Sequence, residues 1–490
     1  MPKLTINGKE VEVPAGTNLI EAARIAGFEV PHYCYHPSLS IAGQCRLCMV
    51  DIEKTPRPTI GCNTVATEGM VVNTETDRVR ETRKSIMEFH LINHPLDCPV
   101  CDQAGECWLQ IYYMKHGLYD PRMKDEKVHK PKAVPLGPHV MLDAERCILC
   151  SRCVRYCDEI THTGELGIFE RGDHSEIGLF PGRELDNKYS ANVVDICPVG
   201  ALTDRDFRFQ VRVWYLDTAK SVCPGCARGC NVRVWHRDGA ISRLTPRDNP
   251  EVNGAWMCDY GRLIGPVLAA GTRLREPQLR AAAAAAPGPV DWEPALGAAV
   301  SALRAAGGRV AAVLRADATQ EATEALIRLL EAAAGGRVEV AVPVHEEGED
   351  DDLLIRADRT PNRRGVLELL AARHPGAVEL AALADRARAG ALGALLVIGE
   401  DLHERSLWGE QTPALLAAVQ RVIVIASHRS ATTDGAHLVL PSAVFPEMDG
   451  TWVNVDGRVQ RTLAAYPPPF LARPAARILS DLVAGFGMGV

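Results

Sequence analysis

The chain opens on alternation. In LTINGKEVEV, apolar and polar positions alternate on both sides of Asn7-Gly8, which predicts two short strands joined by a tight hairpin turn. A helical pattern follows in NLIEAARIAG, with Thr17 as its cap and Gly27 as its stop. Val79, Ile86 and Phe89 recur at helical spacing and predict a second helix over 78 to about 93. Residues 119–140, rich in Pro, Lys and His, read as a connector. Beyond Gly265 the pattern changes. The alanine run 281–286, followed by Pro287-Gly288-Pro289, reads as a linker or a helix end. After it, apolar runs at 310–314, 338–342, 394–398 and 422–426 alternate with Ala/Leu/Arg helical stretches, the pattern of a parallel α/β sheet. The acidic run 346–352 reads as a solvated loop, and no repeat of 20–50 residues is visible.

Composition narrows the class without fixing it. A chain of 490 residues has room for about three or four domains, and 47% apolar with 24% charged residues is ordinary for a globular protein. A net charge of -8 gives no basic surplus for nucleic acid. MPKLTINGKEVEV leads directly into strand-like sequence, with neither a signal-peptide apolar core nor an Arg/Ser-rich transit segment. No run of 18 apolar residues occurs, so membrane association is expected only through partner proteins.

The cysteines carry the chemistry. All sixteen fall between Cys34 and Cys258, in close CxxC groups, a pattern that points to metal rather than to a disulfide framework. The first group is Cys34, Cys45, Cys48 and Cys62, with gaps of ten, two and thirteen residues. Four thiolates can hold a [2Fe–2S] rhombus, two per iron. Hairpin, helix and cysteine-bearing loop together suggest a β-grasp ferredoxin arrangement. The second group, HPLDCPVCDQAGEC, offers Cys98, Cys101 and Cys107, one thiolate short of a cubane. His94, four positions before Cys98, is the candidate fourth ligand, and a neutral imidazole there would raise the cluster potential.

The third group is Cys147, Cys150, Cys153 and Cys157 in CILCSRCVRYC, with Cys197 later in ICPVGAL. It resembles the bacterial ferredoxin run, in which three cysteines and a remote Cys-Pro hold one cubane. Cys197-Pro198 fits the remote role, leaving Cys157 as a free, buried thiol. The fourth group, Cys223, Cys226, Cys230 and Cys258, can close a further [4Fe–4S] cubane. Fifteen cysteines plus His94 thus make four complete ligand sets. A structural zinc site is the alternative for the first, second and fourth groups.

With these motifs in view, the sequence resembles the G-type subunit of bacterial NADH-quinone oxidoreductase, the complex I 75-kDa subunit family. HPLDCPVCDQAGEC is the most specific motif, CILCSRCVRYC…ICPVGALT supports it, and the likeness runs along essentially the whole chain. The resemblance implies a [2Fe–2S] cluster on the first group and cubanes on the second and third. Family members usually lack a thiol at the Cys157 position. The fourth group looks like the cubane at the head of molybdopterin oxidoreductases, placed by the family off the main electron path. HLVLPSAVFPEMDGTWVNVDGRVQ, residues 437–460, is also similar to that superfamily. No cysteine follows Cys258 and the chain stops at Val490, so the expectation is a degenerate scaffold without molybdopterin, in a short bacterial form of this family.

The expected fold class is a mixed α+β and α/β multidomain chain. Its domains are a [2Fe–2S] ferredoxin-type domain at 1–77, a His/Cys-ligated [4Fe–4S] domain at 78–118 and a ferredoxin-like [4Fe–4S] domain at 138–215. A molybdopterin-oxidoreductase-type [4Fe–4S] domain at 216–272 and a degenerate molybdopterin-oxidoreductase-like domain at 273–490 complete it. The implied function is an electron relay from a flavin/NADH-binding partner toward quinone-module partners, peripheral on the cytoplasmic face of the bacterial inner membrane. Neither a G-x-G-x-x-G loop nor a P-loop occurs, so NADH oxidation is expected on a partner, and no acid, base or nucleophile is required. The alternative is the electron-input part of a hydrogenase or formate dehydrogenase complex.

Overall fold

The computed structural model describes residues 1–268, 271–280, 287–336, 338–373 and 377–487, so the alanine run at 281–286 lies outside the described residues. The chain divides into two units, Met1–Leu216 and Asp217–Val490.

In the first unit, β1 (Lys3–Ile6) and β2 (Lys9–Glu12) form the expected hairpin. Its corner residues Asn7 and Gly8 have φ of 48° and 80°, the left-handed pair that a type I′ turn requires. β3 (Met49–Ile52), β4 (Thr59–Ile60) and β5 (Val71–Asn73) complete a sheet of order β2-β1-β5-β3-β4. Helix α1 (Leu19–Ala26) buries Leu19, Ile20, Ala22, Ala23 and Ala26 in the core it shares with Leu4, Ile6 and Val72 of the sheet. Gly27 ends it at φ 91°, and Phe28 N–H reaches back to the Ala23 carbonyl at 2.8 Å. Its cap is Asn18, not Thr17. The Asn18 side chain accepts from Glu21 N–H at 3.0 Å, while the Thr17 hydroxyl is turned into the preceding bend and donates to the Pro14 carbonyl.

Helix α2 (Asp77–Leu91) also departs from the expected stripe. Its buried positions are Val79, Arg83 and Met87, whereas Phe89 is 71% exposed. A fully buried arginine in that row is tolerated because its guanidinium bonds Glu75 and the Met49 carbonyl, each at 3.0 Å. Helix α3 (Trp108–His116) packs beside α2. The connector over 119–140 ends in the strand Val134–Pro135. This joins Val140–Leu142 and Leu202–Asp204 in a small antiparallel sheet.

The second unit begins with an antiparallel sheet of Asp217–Val222, Asn231–Arg237 and Ala240–Pro246. The expected α/β pattern follows. Val310–Leu314, Val340–Ala341, Ala394–Ile398, Arg421–Ala426 and Leu438–Pro441 run parallel. Apolar cores lie on both faces of this sheet, as such strands demand. Pro287-Gly288-Pro289 is not a linker: Gly288–Pro289 pairs with Gln278–Leu279 at the sheet edge, where a proline costs no ladder bond. The strand order reverses between Val310–Leu314 and Ala394–Ile398. At such a reversal the carboxyl ends of the strands splay into a crevice. A cavity of about 680 Å³ lies there, lined in part by Arg315, Asp317, Gly399, Ser427 and Ser442. Among the described residues no helix is long and apolar enough to cross a membrane.

Candidate metal centres

Every one of the sixteen cysteines is free of disulfide bonds. The first group sits in the loops between α1 and β5, and all four of its thiols are buried. They associate as two close pairs. Cys34 is drawn below the ordinary thiol range by a hydrogen bond from Cys45, and Cys45 is raised in consequence. Cys48 and Cys62 form the second such pair, and Cys62 in turn feels the charges of Cys34 and Cys45. Backbone amides point at the sulfurs: Tyr33 N–H approaches Cys45 Sγ at 3.3 Å and Cys45 N–H approaches Cys34 Sγ at 3.5 Å. Arg46, directly after Cys45, is held at φ 59°. A non-glycine residue there costs about 1 kcal/mol or more, so the loop is wound tightly around the thiols against its own preference.

The second group follows α2. Lys127 donates to the carbonyls of Leu91 and Ile92, both at 2.7 Å, and so fastens the end of the helix that delivers His94. Burial lowers the His94 pKa to about 4, and its Nδ1 is buried with no hydrogen-bond partner among the described residues. The ring is therefore neutral near pH 7 with a nitrogen uncommitted, which fits a metal ligand. Cys101 and Cys107 are buried and Cys98 is exposed. Cys101 feels the charge of Cys98, and Cys107 feels that of Cys101. The Arg146–Asp97 ion pair, at 2.6 Å, acts electrostatically on both His94 and Cys101. Arg212 clasps the loop from outside, donating to the Cys101 and Pro99 carbonyls.

Two residues that sequence reasoning missed stand here. Gly200, in the ICPVGAL segment, lies so close to Cys101 that a Cβ would collide with its Sγ. The Pro198 carbonyl, two residues earlier, accepts from Trp108 N–H at 3.0 Å and faces the Cys107 thiol. The segment that carries Cys197 therefore also forms one wall of the second group. A glycine directly after a Cys-Pro-Val was the available signal.

In the third group, Cys147, Cys150, Cys153 and Cys197 line one small cavity with Ile148, Ile177, Val199 and Leu202. Burial raises the Cys147 pKa to about 12 and the Cys150 pKa to about 11, so metal binding must displace protons. Three amides, of Val199, Leu202 and Ala201, donate toward the Cys197 sulfur. Leu149 and Ser151, between the ligating positions, are held at φ 54° and 59°. Cys157 is absent from that cavity wall. It is fully buried, and burial together with the Glu165 carboxylate pushes its thiol pKa up.

The fourth group lies in the second unit. Three of its cysteines occupy the loop between strands Asp217–Val222 and Asn231–Arg237, and Cys258 caps the turn Asp259–Arg262. All four are buried, and Cys230 feels the charges of the other three. Gly225 N–H approaches Cys223 Sγ and Gly261 N–H approaches Cys258 Sγ, each at 3.4 Å. A Cβ on Gly261 would stand 2.7 Å from Cys223 Sγ. The stretch 437–460 braces this loop. Gln460 bonds Asn231 at 2.5 Å and the Gly229 carbonyl at 2.9 Å, and Asn454 bonds the Arg228 carbonyl at 3.2 Å. Pro224 and Tyr260, neighbours of the cysteines, also line the cavity at the strand-order reversal.

Comparison with known proteins finds family matches along these cysteine-bearing segments. Residues 2–77 match a 2Fe-2S iron-sulfur cluster binding domain, and 83–122 match the NADH-ubiquinone oxidoreductase-G iron-sulfur binding region. Residues 137–203 match the ferredoxin-like domain of NADH-quinone oxidoreductase subunit 3. Residues 216–266 match the molybdopterin oxidoreductase Fe4S4 domain and 371–484 match molybdopterin oxidoreductase. The G-type subunit of NADH-quinone oxidoreductase from Streptomyces coelicolor is 42% identical over 308 residues, 62% of this chain and 36% of the relative. That of Rickettsia bellii is 42% identical over 262 residues, covering 54% and 38%. That of Mycobacterium bovis is 39% identical over 325 residues, covering 66% and 40%. The chain thus spans about two fifths of the length of these curated relatives. A solved NAD+-reducing [NiFe]-hydrogenase is 27% identical, over 43% of this chain and 91% of the hydrogenase chain, with a TM-score of 0.38.

Proposed function

We propose that this chain, a relative of the G-type subunit of NADH-quinone oxidoreductase across its cysteine-bearing region, is an iron–sulfur electron relay with four clusters. Cys34, Cys45, Cys48 and Cys62 hold a [2Fe–2S] cluster. His94, Cys98, Cys101 and Cys107 hold one [4Fe–4S] cluster, Cys147, Cys150, Cys153 and Cys197 a second, and Cys223, Cys226, Cys230 and Cys258 a third. Such clusters exchange single electrons at potentials set by ligand type, hydrogen bonds to sulfur and burial. The observation that carries the reading is that Cys147, Cys150, Cys153 and Cys197 line one cavity, while Cys157, off that wall, faces the Glu165 carboxylate.

The chain's own residues supply the tuning. Paired thiols in the first group, Cys34 with Cys45 and Cys48 with Cys62, suit the two-per-iron demand of a binuclear cluster. Residues from the first three groups (Cys34 and Cys45, Cys107, and Cys147, Cys150 and Cys197) border one apolar core with Tyr33, Met87 and Tyr112. That common core brings residues of three of the four sets onto one apolar interior.

On this reading the relay belongs to a larger NADH:quinone oxidoreductase. NADH and flavin are held by one partner and quinone by others, and this chain is peripheral on the cytoplasmic face of the bacterial inner membrane as part of that complex. The matched relatives, all named as this same type of NADH-quinone oxidoreductase component, favour it over a hydrogenase or formate dehydrogenase input module. On this reading the second unit is a degenerate molybdopterin-oxidoreductase-like scaffold, matched over 371–484, and the molybdenum content of the purified chain tests it.

Elemental analysis of the full chain, purified anaerobically, is the direct test. About 14 irons per chain are expected from one binuclear and three cubane clusters, with no stoichiometric molybdenum. Zinc in place of iron would sink the relay reading. The Cys157→Ser variant is expected to keep the same iron content and every EPR signal of the wild type. Disappearance of a cubane signal from that variant would mean that the third ligand set is wrongly drawn.

A further inference from the structure

Two of the buried arginines among the described residues meet carboxylates: Arg83 pairs with Glu75 and Arg146 with Asp97. Arg152 is 9% exposed and is built differently. Its Nη1 donates to the Ile196 carbonyl at 3.0 Å, its Nη2 donates to the Tyr35 carbonyl, and its Nε has no partner among the described residues. Both acceptors adjoin proposed ligands, since Tyr35 follows Cys34 and Ile196 precedes Cys197. The side chain springs from the first turn of the helix Arg152–Glu159, between Cys150 and Cys153.

A guanidinium in the interior is costly unless a negative charge answers it. The guanidinium feels most strongly the charge that Cys150 and Cys197 of the third group and Cys34 and Cys45 of the first carry as thiolates. The rest of the helix repeats the junction. Arg155 donates to the Cys34 carbonyl at 2.6 Å and to the Cys150 carbonyl at 3.4 Å, and Glu159 accepts from Ser40 N–H at 2.7 Å. Two loops from separate parts of the sequence are held on one short helix. At the junction stands a cation that feels the sulfurs of both groups once they ligate as thiolates.

We propose that Arg152 is a shared positioning residue for the clusters of the first and third groups, its guanidinium holding the reduction potential of both above the value their ligands alone would set. Reduction adds negative charge to each cluster, and a fixed cation in a poorly polarisable interior stabilises that charge. Because one side chain serves two sets, its removal moves two potentials together. The proposal rests on the ligand assignment of the preceding section.

The experiment is an EPR-monitored redox titration of the full chain with its clusters, as wild type, Arg152→Gln and Arg152→Lys. Wild type lacking the binuclear or third-group signal would remove the ligand assignment and this proposal with it; wild type showing both confines any failure to Arg152. In Arg152→Gln, the two reduction equilibria are each expected to fall about tenfold, which is about 59 mV for a one-electron couple. The His94-group cubane is expected to stay within a third of that shift. Arg152→Lys, which keeps the charge, is expected to hold both potentials near wild type, also where Gln fails to retain the clusters. Movement of only one potential, of neither, or of the His94-group cubane by the same amount overturns the proposal. So does loss of both clusters from the Gln and Lys variants alike, which would assign Arg152 to fastening loops.

Discussion

Replacing His94 by alanine is expected to lower the iron content of the purified chain from about 14 to about ten and to erase one cubane EPR signal, leaving the other three clusters in place. The ring is neutral near pH 7 because burial lowers its pKa to about 4, and its Nδ1 is buried with no partner among the described residues. Nothing else in the second group offers a fourth donor. Asp97, the nearest carboxylate, is held below its usual range with burial opposed by Arg146 and Lys132, and it is committed to that ion pair. Alanine therefore leaves three thiols, one of them the exposed Cys98, for a cluster that needs four ligands. His94→Cys separates ligation from packing. It is expected to retain a cubane but at a lower potential, since thiolate adds the negative charge that imidazole lacks. An unaltered titration in that variant would remove His94 from the ligand set.

Two glycine substitutions are expected to abolish a cubane each without touching a ligand. The Cβ of Gly200→Ala would collide with Cys101 Sγ and press on Gln103 at 3.1 Å. In Gly261→Ala it would stand 2.7 Å from Cys223 Sγ. Overpacking a well-filled site costs about 1–3 kcal/mol in side-chain and backbone shifts. Here the atom that must yield is a sulfur whose position the cluster fixes. Each variant is expected to lose about four irons, Gly200→Ala from the His94 set and Gly261→Ala from the fourth set. Gly297→Ala serves as the control, because a Cβ there meets open space. If all three variants carry wild-type iron and signals, the close approach of backbone to sulfur has no functional weight.

The close cysteine groups were legible in the sequence because their spacing is local. CPVC, CILCSRC and CPGCARGC each fit within a single turn or loop, and the Asn7-Gly8 corner declares its own backbone angles. Features built from two distant segments were not readable. Arg83 looks misplaced in a helical stripe until Glu75 and the Met49 carbonyl come to meet it. Gly200 acts on a cysteine 99 positions earlier in the chain, and Arg152 answers thiols of two loops. Thr17 and Asn18 are both competent caps, and the choice between them turned on the Pro14 bend. The edge strand Gly288–Pro289 was hidden because two residues carry no periodicity.

The brace on the fourth group changes what counts as a module in this chain. Family profiles recognise residues 216–266 and 371–484 as two separate stretches. Yet Gln460 and Asn454 fasten the cysteine loop to a hairpin more than 220 positions away, through bonds to Asn231, Gly229 and Arg228. A truncation between the two stretches would leave the loop's carbonyls and amides without their distant partners. The cysteine-bearing head and the α/β body thus belong to one compact unit. Shortening of this region can take the sheet's outlying loops, but the hairpin at 450–462 must stay for as long as the fourth cluster does.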